Sequence, residues 1–210
     1  MPDETVKLIK LTQSPRDANR FYAEFDNGDA FSVTVAHIAD FGLYTNAEIP
    51  LPKYKELSVA AEKSRARARA MRMLGARPMS KGEIREKLIE KGERDEVASD
   101  AAEYMETIGA VNETEYAAMI VSHYAKKGYG VGKIRNELYR RKVPKDLWNE
   151  ALSTMPETED VVFTLIEKKL SGKNADRKEI KKVSDMLLRR GFSYEEIKNG
   201  LRKFTDGLED

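Results

Sequence analysis

Apolar residues recur every three or four positions over most of this chain and alternate with polar ones only near its start. Val6-Lys-Leu8-Ile9-Lys-Leu11, Phe21-Tyr-Ala-Glu-Phe25 and Ala30-Phe-Ser-Val33-Thr-Val35 are rich in β-branched and aromatic residues, which predicts strands. Asp26-Asn27-Gly28-Asp29 joins the last two, and Asn-Gly accepts the positive φ angles of a tight hairpin turn. The pattern therefore predicts a small meander over Val6 to Val35. Two or three strands alone are marginal in water, so the meander must pack on something, with Ile38, Phe41, Leu43 and Tyr44 as the apolar bridge.

After Pro50-Leu-Pro52 the composition turns to Ala, Arg, Glu, Lys and Leu at helical spacing, which places the boundary near Leu57. Ser80 with Glu83, Asn112 with Glu115 and Ser193 with Glu196 have the spacing of an N-cap and the carboxylate that reaches back to it. Glycines and prolines supply the stops. The punctuation predicts nine helices in three groups of three, at about Ser58–Leu74, Ser80–Lys91, Asp95–Ile108, Glu113–Lys127, Gly132–Arg141, Lys145–Met155, Glu157–Leu170, Asp176–Arg190 and Ser193–Phe204.

The groups echo one another. Gly82-Glu-Ile84-Arg85-Glu-Lys-Leu88 and Gly132-Lys-Ile134-Arg135-Asn-Glu-Leu138 share one pattern fifty positions apart, continued by Ala101/Ala151 and Met105/Met155. A fixed period of this size implies stacked helical units that need neighbours to bury their apolar stripes. The fold expected is mainly α: tandem three-helix repeats forming an elongated curved array, preceded by a small β-rich segment. Its parts are a β-rich domain at 1–57 and repeats at 58–108, 109–156 and 157–210, the third matching by architecture more than by sequence. Trp148, beside Leu147 on the apolar side of its helix, is expected to be mostly buried between repeats two and three.

Composition narrows the chemistry. The chain has 35% charged residues and a net charge of +1, but residues 1–57 carry six basic and nine acidic side chains while residues 109–156 carry eight basic and five acidic. Near-neutral charge argues against tight binding to DNA by charge alone. With no cysteine, thiolate chemistry and cysteine-held zinc are excluded, and with only His37 and His123, in different predicted domains, a histidine metal site is not expected. No segment resembles a signal peptide or a membrane span, so the cytoplasm is the expected compartment. Gly128-Tyr-Gly130-Val-Gly132-Lys133 opens a helix and could present amides to a phosphate, but it follows a helix, not a strand, and matches neither nucleotide-binding spacing; it reads as a flexible turn.

Basic clusters remain as functional candidates. Arg65, Arg69 and Arg72 fall on one side of the first long helix; Lys126, Lys127, Lys133, Arg135, Arg140 and Arg141 crowd the second repeat. Solvated faces and contacts with phosphate or an acidic protein groove are both consistent with them. Arg189-Arg190 forms a further basic doublet.

Leu74-Gly-Ala-Arg77-Pro-Met-Ser80-Lys-Gly-Glu83, continuing to Lys91-Gly92, then Ile108-Gly109-Ala-Val-Asn112-Glu-Thr-Glu-Tyr116-Ala117, then Lys127-Gly128 and Ile134-Arg135-Asn-Glu-Leu138, resembles the RecX family of recombinase regulators. The likeness is strong over Ala66 to Leu152 and extends to Phe204 by helix count. Two departures stand out: Glu93 follows Gly92 where the family tends to have an aromatic or aliphatic residue, and Lys142-Val143 replaces the usual Lys-Gly.

The resemblance implies a non-enzymatic modulator without cofactor. Such a protein binds the RecA filament on single-stranded DNA and inhibits its recombinase, ATPase and coprotease activities, so modulating homologous recombination and the SOS response. It implies no membrane partner, weak contact with single- or double-stranded DNA, and a monomer. The family offers no catalytic residues to carry over, so the nine basic residues named above are the candidate contacts. The competing readings are a helical DNA-binding regulator and a protein-interaction scaffold acting without a recombinase.

Overall fold

The computed structural model describes residues 4–171 and 176–206; the polar start at Met1 to Asp3 lies outside them. Strands β1 (Thr5–Ser14), β2 (Asp17–Phe25) and β3 (Ala30–Thr34) form the expected meander. The turn between β2 and β3 carries Gly28 at φ +88°. The sheet has a fourth strand that the pattern did not reveal: β4 (Glu48–Pro50) pairs antiparallel with Thr5–Lys7, giving the order β3-β2-β1-β4. Three residues ending in proline show no alternation to read.

Helix α1 (Val35–Phe41) was also missed, and it claims Val35, which the pattern assigned to a strand. Its cap explains the switch: the Thr34 hydroxyl accepts from the His37 amide, and His37 Nδ1 accepts from the Thr34 amide. Helix α2 (Leu51–Ala76) begins seven positions before Ser58, because a proline in the first helical turn lacks only an N–H that would have no partner there. Pro52 thus opens the helix. Leu57, expected near a boundary, lies inside α2 and is fully buried with Tyr54 and Ala61 against Val6, Leu8, Phe25, Val33 and Ile49 of the sheet. The predicted bridge is present, with Leu43 buried and Ile38 and Phe41 packed against the same core; Tyr44 is exposed.

The remaining predicted helices all appear: α3 (Lys81–Glu90), α4 (Asp95–Thr107), α5 (Glu113–Lys126), α6 (Val131–Arg140), α7 (Trp148–Ser153, led by a 3-10 turn at Lys145–Leu147), α8 (Thr158–Leu170), α9 (Arg177–Arg189) and α10 (Tyr194–Asp206). Ser80, Asn112 and Ser193 each accept the backbone amide three residues on. At Ser193 the reciprocal bond from its amide to Glu196 is also made, at 2.6 Å.

The chain divides into two compact units. The first, residues 1–77 and 84–110, holds the sheet, α1, α2, most of α3, and α4. Its helices bury Ala66 and Ala70 of α2, Ile84 and Leu88 of α3, and Val97, Ala101 and Met105 of α4. The second unit, residues 78–83 and 111–210, has two cores: Tyr116, Ile120, Ile134, Leu138 and Val143 in one, and Val162, Ile166, Val183, Leu187, Phe192 and Ile197 in the other. Trp148 is half-buried against the first of these two cores, its indole N–H donating to the Val143 carbonyl at 3.0 Å. It serves repeat two and is less buried than its apolar spacing predicted, since the indole lies at the rim where its N–H reaches a carbonyl.

Candidate functional site

Each three-helix unit turns sharply after its second helix, and the turn residue has a positive φ: Gly92 at +87°, Lys142 at +53° and Gly191 at +88°. The residue that follows is buried every time, as Glu93, Val143 and Phe192. The left-handed residue of repeat two is therefore Lys142, one position before the Val143 that sequence comparison set in the glycine's place. Val143 instead fills the apolar slot.

In repeat one that apolar slot holds a carboxylate. The Glu93 side chain is only 1% exposed, and a charge so placed needs a partner. Arg65 grips it through Nη2 to Oε2 at 2.8 Å and Nε to Oε1 at 3.4 Å, and Arg69 Nη1 also donates to Oε1 at 2.7 Å. Arg69 also donates to the Lys91 carbonyl at 3.3 Å. The hydrogen bond to Glu93 raises the Arg65 guanidinium above its ordinary pKa against the opposing effect of burial. Two of the three arginines predicted as a contact face thus hold α2 to the turn after α3.

Other charges of α2 are engaged similarly. Lys63 and Arg67 bind Asp100 at 2.8 and 2.7 Å, and Arg67 also stacks over the Tyr104 ring at 4.1 Å. Burial alone would raise the Asp100 carboxyl, but the hydrogen bonds from Lys63 and Arg67 outweigh it and hold the group below its ordinary value. Glu62 takes a bidentate grip from Arg94 at 3.1 and 2.6 Å. Arg72 differs: it is exposed, forms no ion pair among the described residues, and with Met73, Ala76, Lys91 and Arg69 borders a shallow hollow of about 600 Å3.

The second unit also holds a buried carboxylate, Glu137, which is 5% exposed and whose cations are neighbours three or four residues away along the chain. Lys133 lies 3.5 Å from its carboxylate, Arg140 3.1 Å and Arg141 3.9 Å. Arg141 is bound further, donating to the Tyr116 hydroxyl at 2.9 Å while that hydroxyl donates to Glu83 at 2.8 Å. Its carbonyl also accepts from the Ser80 hydroxyl. Of the predicted contacts here, Lys126, Lys127 and Arg135 remain exposed without an ion pair among the described residues.

The glycine-rich turn that was read as flexible is docked. Gly130 donates to the Arg190 carbonyl and Gly132 to the Gly191 carbonyl, both at 2.9 Å. Arg190 Nη1 donates back to the Gly128 carbonyl at 3.3 Å, and its guanidinium lies over the Tyr129 ring at 5.7 Å. A Cβ on Gly130 would sit 2.5 Å from the Gly191 oxygen, so glycine there permits backbone to meet backbone. The docking brings Arg189, outside the predicted contact set, beside Lys133 and Arg135; the Arg189-Arg190 doublet was the only sequence signal for it.

Among the described residues no helix is long and apolar enough to cross a membrane. Three RecX family models match the chain in order: the first three-helix domain at residues 66–105, the second at 112–152 and the third at 157–200. Regulatory protein RecX of Clostridium perfringens strain 13 is 25% identical over 206 residues, covering 95% of this chain and 97% of the relative. The RecX of Bacillus cytotoxicus is 28% identical over 214 residues, covering 97% and 78%. Among solved structures, a regulatory protein RecX superposes with a TM-score of 0.70 at 21% identity, covering 92% of this chain and 97% of that one. The RecX of Lactobacillus salivarius gives 0.62 at 20% identity, covering 69% and 97%. At such identities the structures establish the fold alone, but the ordered matches to all three domains go further: this chain belongs to the RecX family of regulatory proteins.

Proposed function

We propose that this chain binds the RecA recombinase filament in the cytoplasm and inhibits its recombinase, ATPase and coprotease activities, thereby restraining recombination and the SOS response. The observation that carries the reading is the full set of RecX three-helix domains in order along one chain. A filament presents the same surface many times, and repeated units offer repeated weak contacts that add through effective concentration. Arg72, Lys126, Lys127 and Arg135 are the contacts, since each is exposed and forms no ion pair among the described residues. Arg65, Arg69, Lys133, Arg140 and Arg141 support that surface from their places around Glu93 and Glu137.

The test is inhibition of the recombinase's DNA-dependent ATPase by the R72E/K126E/K127E variant. Exposed charge changes cost little stability, so the variant should keep its circular dichroism spectrum and melting temperature while its half-inhibitory concentration rises at least about tenfold, and inhibition should weaken as salt rises. Undiminished inhibition by the folded variant would remove these residues from the interface, and absence of cosedimentation of the wild type with filaments would remove the function.

A further inference from the structure

On one side the sheet of the first unit ends in a strand with an open edge. β3 is the terminal strand in the order β3-β2-β1-β4. The Phe25 amide donates to the Asp29 carbonyl at 2.9 Å, and hydrogen-bonded pairs alternate along antiparallel strands. The register Ala23↔Phe31, Tyr22↔Ser32 and Phe21↔Val33 therefore turns the backbone groups of Phe31 and Val33 toward β2 and those of Ala30 and Ser32 outward. Among the described residues no backbone partner takes these outward groups. Edge strands are commonly blunted by a lysine or a proline, yet Ala30-Phe-Ser-Val-Thr34 carries neither.

A groove of about 300 Å3 runs beside that edge. Residues 29–32 form one wall, and Ser58, Ala61, Glu62 and Arg65, at helical spacing, present one face of α2 as the other. Small side chains at Ser58 and Ala61 leave width, and Phe31, stacked on Phe25 with ring centroids 5.0 Å apart, gives the groove an apolar surface. Its charges are unequal. Glu62 is paired with Arg94 and Arg65 with Glu93, but among the described residues the Asp29 carboxylate accepts only from neutral donors, the Tyr54 hydroxyl and the Asn27 amide. Burial and the bond to Asp29 push the Tyr54 hydroxyl up to about 12, so the proton stays on the tyrosine and the charge on Asp29. Asp26 also meets a neutral donor, the Lys7 amide at 3.0 Å. The Asp29 end of the groove is thus negative and uncompensated.

An edge strand beside a helix is a setting in which an extended peptide adds a strand, its main chain supplying hydrogen bonds and its alternate side chains specificity. We propose that the groove between β3 and α2 takes an extended segment of a partner protein antiparallel to β3, with an aliphatic side chain over Phe31 and Ala61 and a lysine or arginine two residues later at Asp29. The spacing follows because side chains two apart share a face of a strand, as the positions of Phe31 and Asp29 require. A nucleic acid would meet Asp26 and Asp29 with like charge, and a second copy of Ala30–Thr34 brings no cation to them. This interaction goes beyond filament binding, and its test uses no recombinase, so that its failure leaves the filament reading standing.

The probe is the acetylated, amidated hexapeptide Thr-Thr-Val-Thr-Lys-Thr, titrated into the full isotope-labelled chain while amide hydrogen exchange is followed by NMR. Binding should saturate at millimolar peptide. The Ala30 and Ser32 amides should then exchange at least about tenfold more slowly, while those of Phe31 and Val33, already in the ladder, change little. S32P removes an outward donor that pairing with β2 does not use, so it should keep the fold and lose the binding. D29N keeps an acceptor for Tyr54 and should weaken binding roughly threefold, an effect that shrinks as salt rises. Should S32P fail to fold, D29N and the exchange pattern decide. Absence of saturation, or saturation with unchanged exchange at Ala30 and Ser32, would overturn the proposal. So would equal binding of a peptide with glutamate in place of the lysine. Protection of the same amides that rises with protein concentration alone would overturn it too, giving the edge to a second copy of the chain.

Discussion

A single carboxylate decides much about the first repeat. Glu93 occupies a slot filled by Val143 and Phe192 in the other repeats, and Arg65 and Arg69 neutralise it. Glu93→Ala should cost about 3 kcal/mol, the low end for breaking a buried ion pair, because the guanidiniums of Arg65 and Arg69 can turn to water. Glu93→Val should cost less, since an aliphatic side chain suits the slot; urea denaturation orders the two, and equal loss would show that the slot is not apolar in character. His37 makes a second case. Burial lowers its pKa from 6.5, ahead of the opposing effect of Asp40, so the unfolded chain binds the proton more tightly. The stability tied to His37 is complete above pH 6.5 and is lost as pH falls through the lower folded value. Wild-type stability should accordingly drop between pH 7.5 and 5.5, and His37→Gln should flatten that drop in paired urea titrations.

Elements in this chain are joined by close backbone approaches. A Cβ on Gly82 would lie 2.5 Å from the Lys142 Cβ and 3.0 Å from its carbonyl oxygen, while Lys142 itself holds a φ of +53°. A lysine in the left-handed region costs about 1 kcal/mol relative to glycine. Lys142→Gly should therefore raise stability by up to about 1 kcal/mol, and Gly82→Ala should lower it by about 1–3 kcal/mol through overpacking. The double variant separates clash from chain entropy: removing the Lys142 Cβ should recover part of the Gly82→Ala loss. Strict additivity in chemical unfolding would show that the two positions do not meet.

Across the whole molecule, two compact units with their own buried residues share one chain. The single tryptophan, Trp148, lies in the second. Leu57, fully buried where α2 meets the sheet, lies in the first. Leu57→Ala should cost about 2–5 kcal/mol locally, displacing the far-ultraviolet dichroism transition more than the tryptophan fluorescence transition. Equal displacement of both would mean that the units unfold as one. The same placement sets what truncation should do: removing residues 1–53 uncovers Tyr54, Leu57 and Ala61, so helices of the first unit should weaken while the second unit's fluorescence transition stays.

The sequence by itself determined what depends on neighbours three or four residues apart. Helical spacing, the caps at Ser80, Asn112 and Ser193, and the fifty-residue echo from Gly82 to Gly132 all follow from local periodicity and hydrogen bonding, and so did the three repeats and the family likeness. Where α2 begins and where β4 pairs were hidden, because Pro52 is read as a breaker until the first turn is seen to need no N–H, and Glu48–Pro50 is a strand only by virtue of Thr5–Lys7. The charges were the least legible. Arg65 and Arg72 look alike in sequence, yet one is held by a glutamate twenty-eight positions away and the other is not. Whether a cation is spent on the fold or left for a partner depends on its distance to a carboxylate and on the water between them, and only tertiary structure sets either.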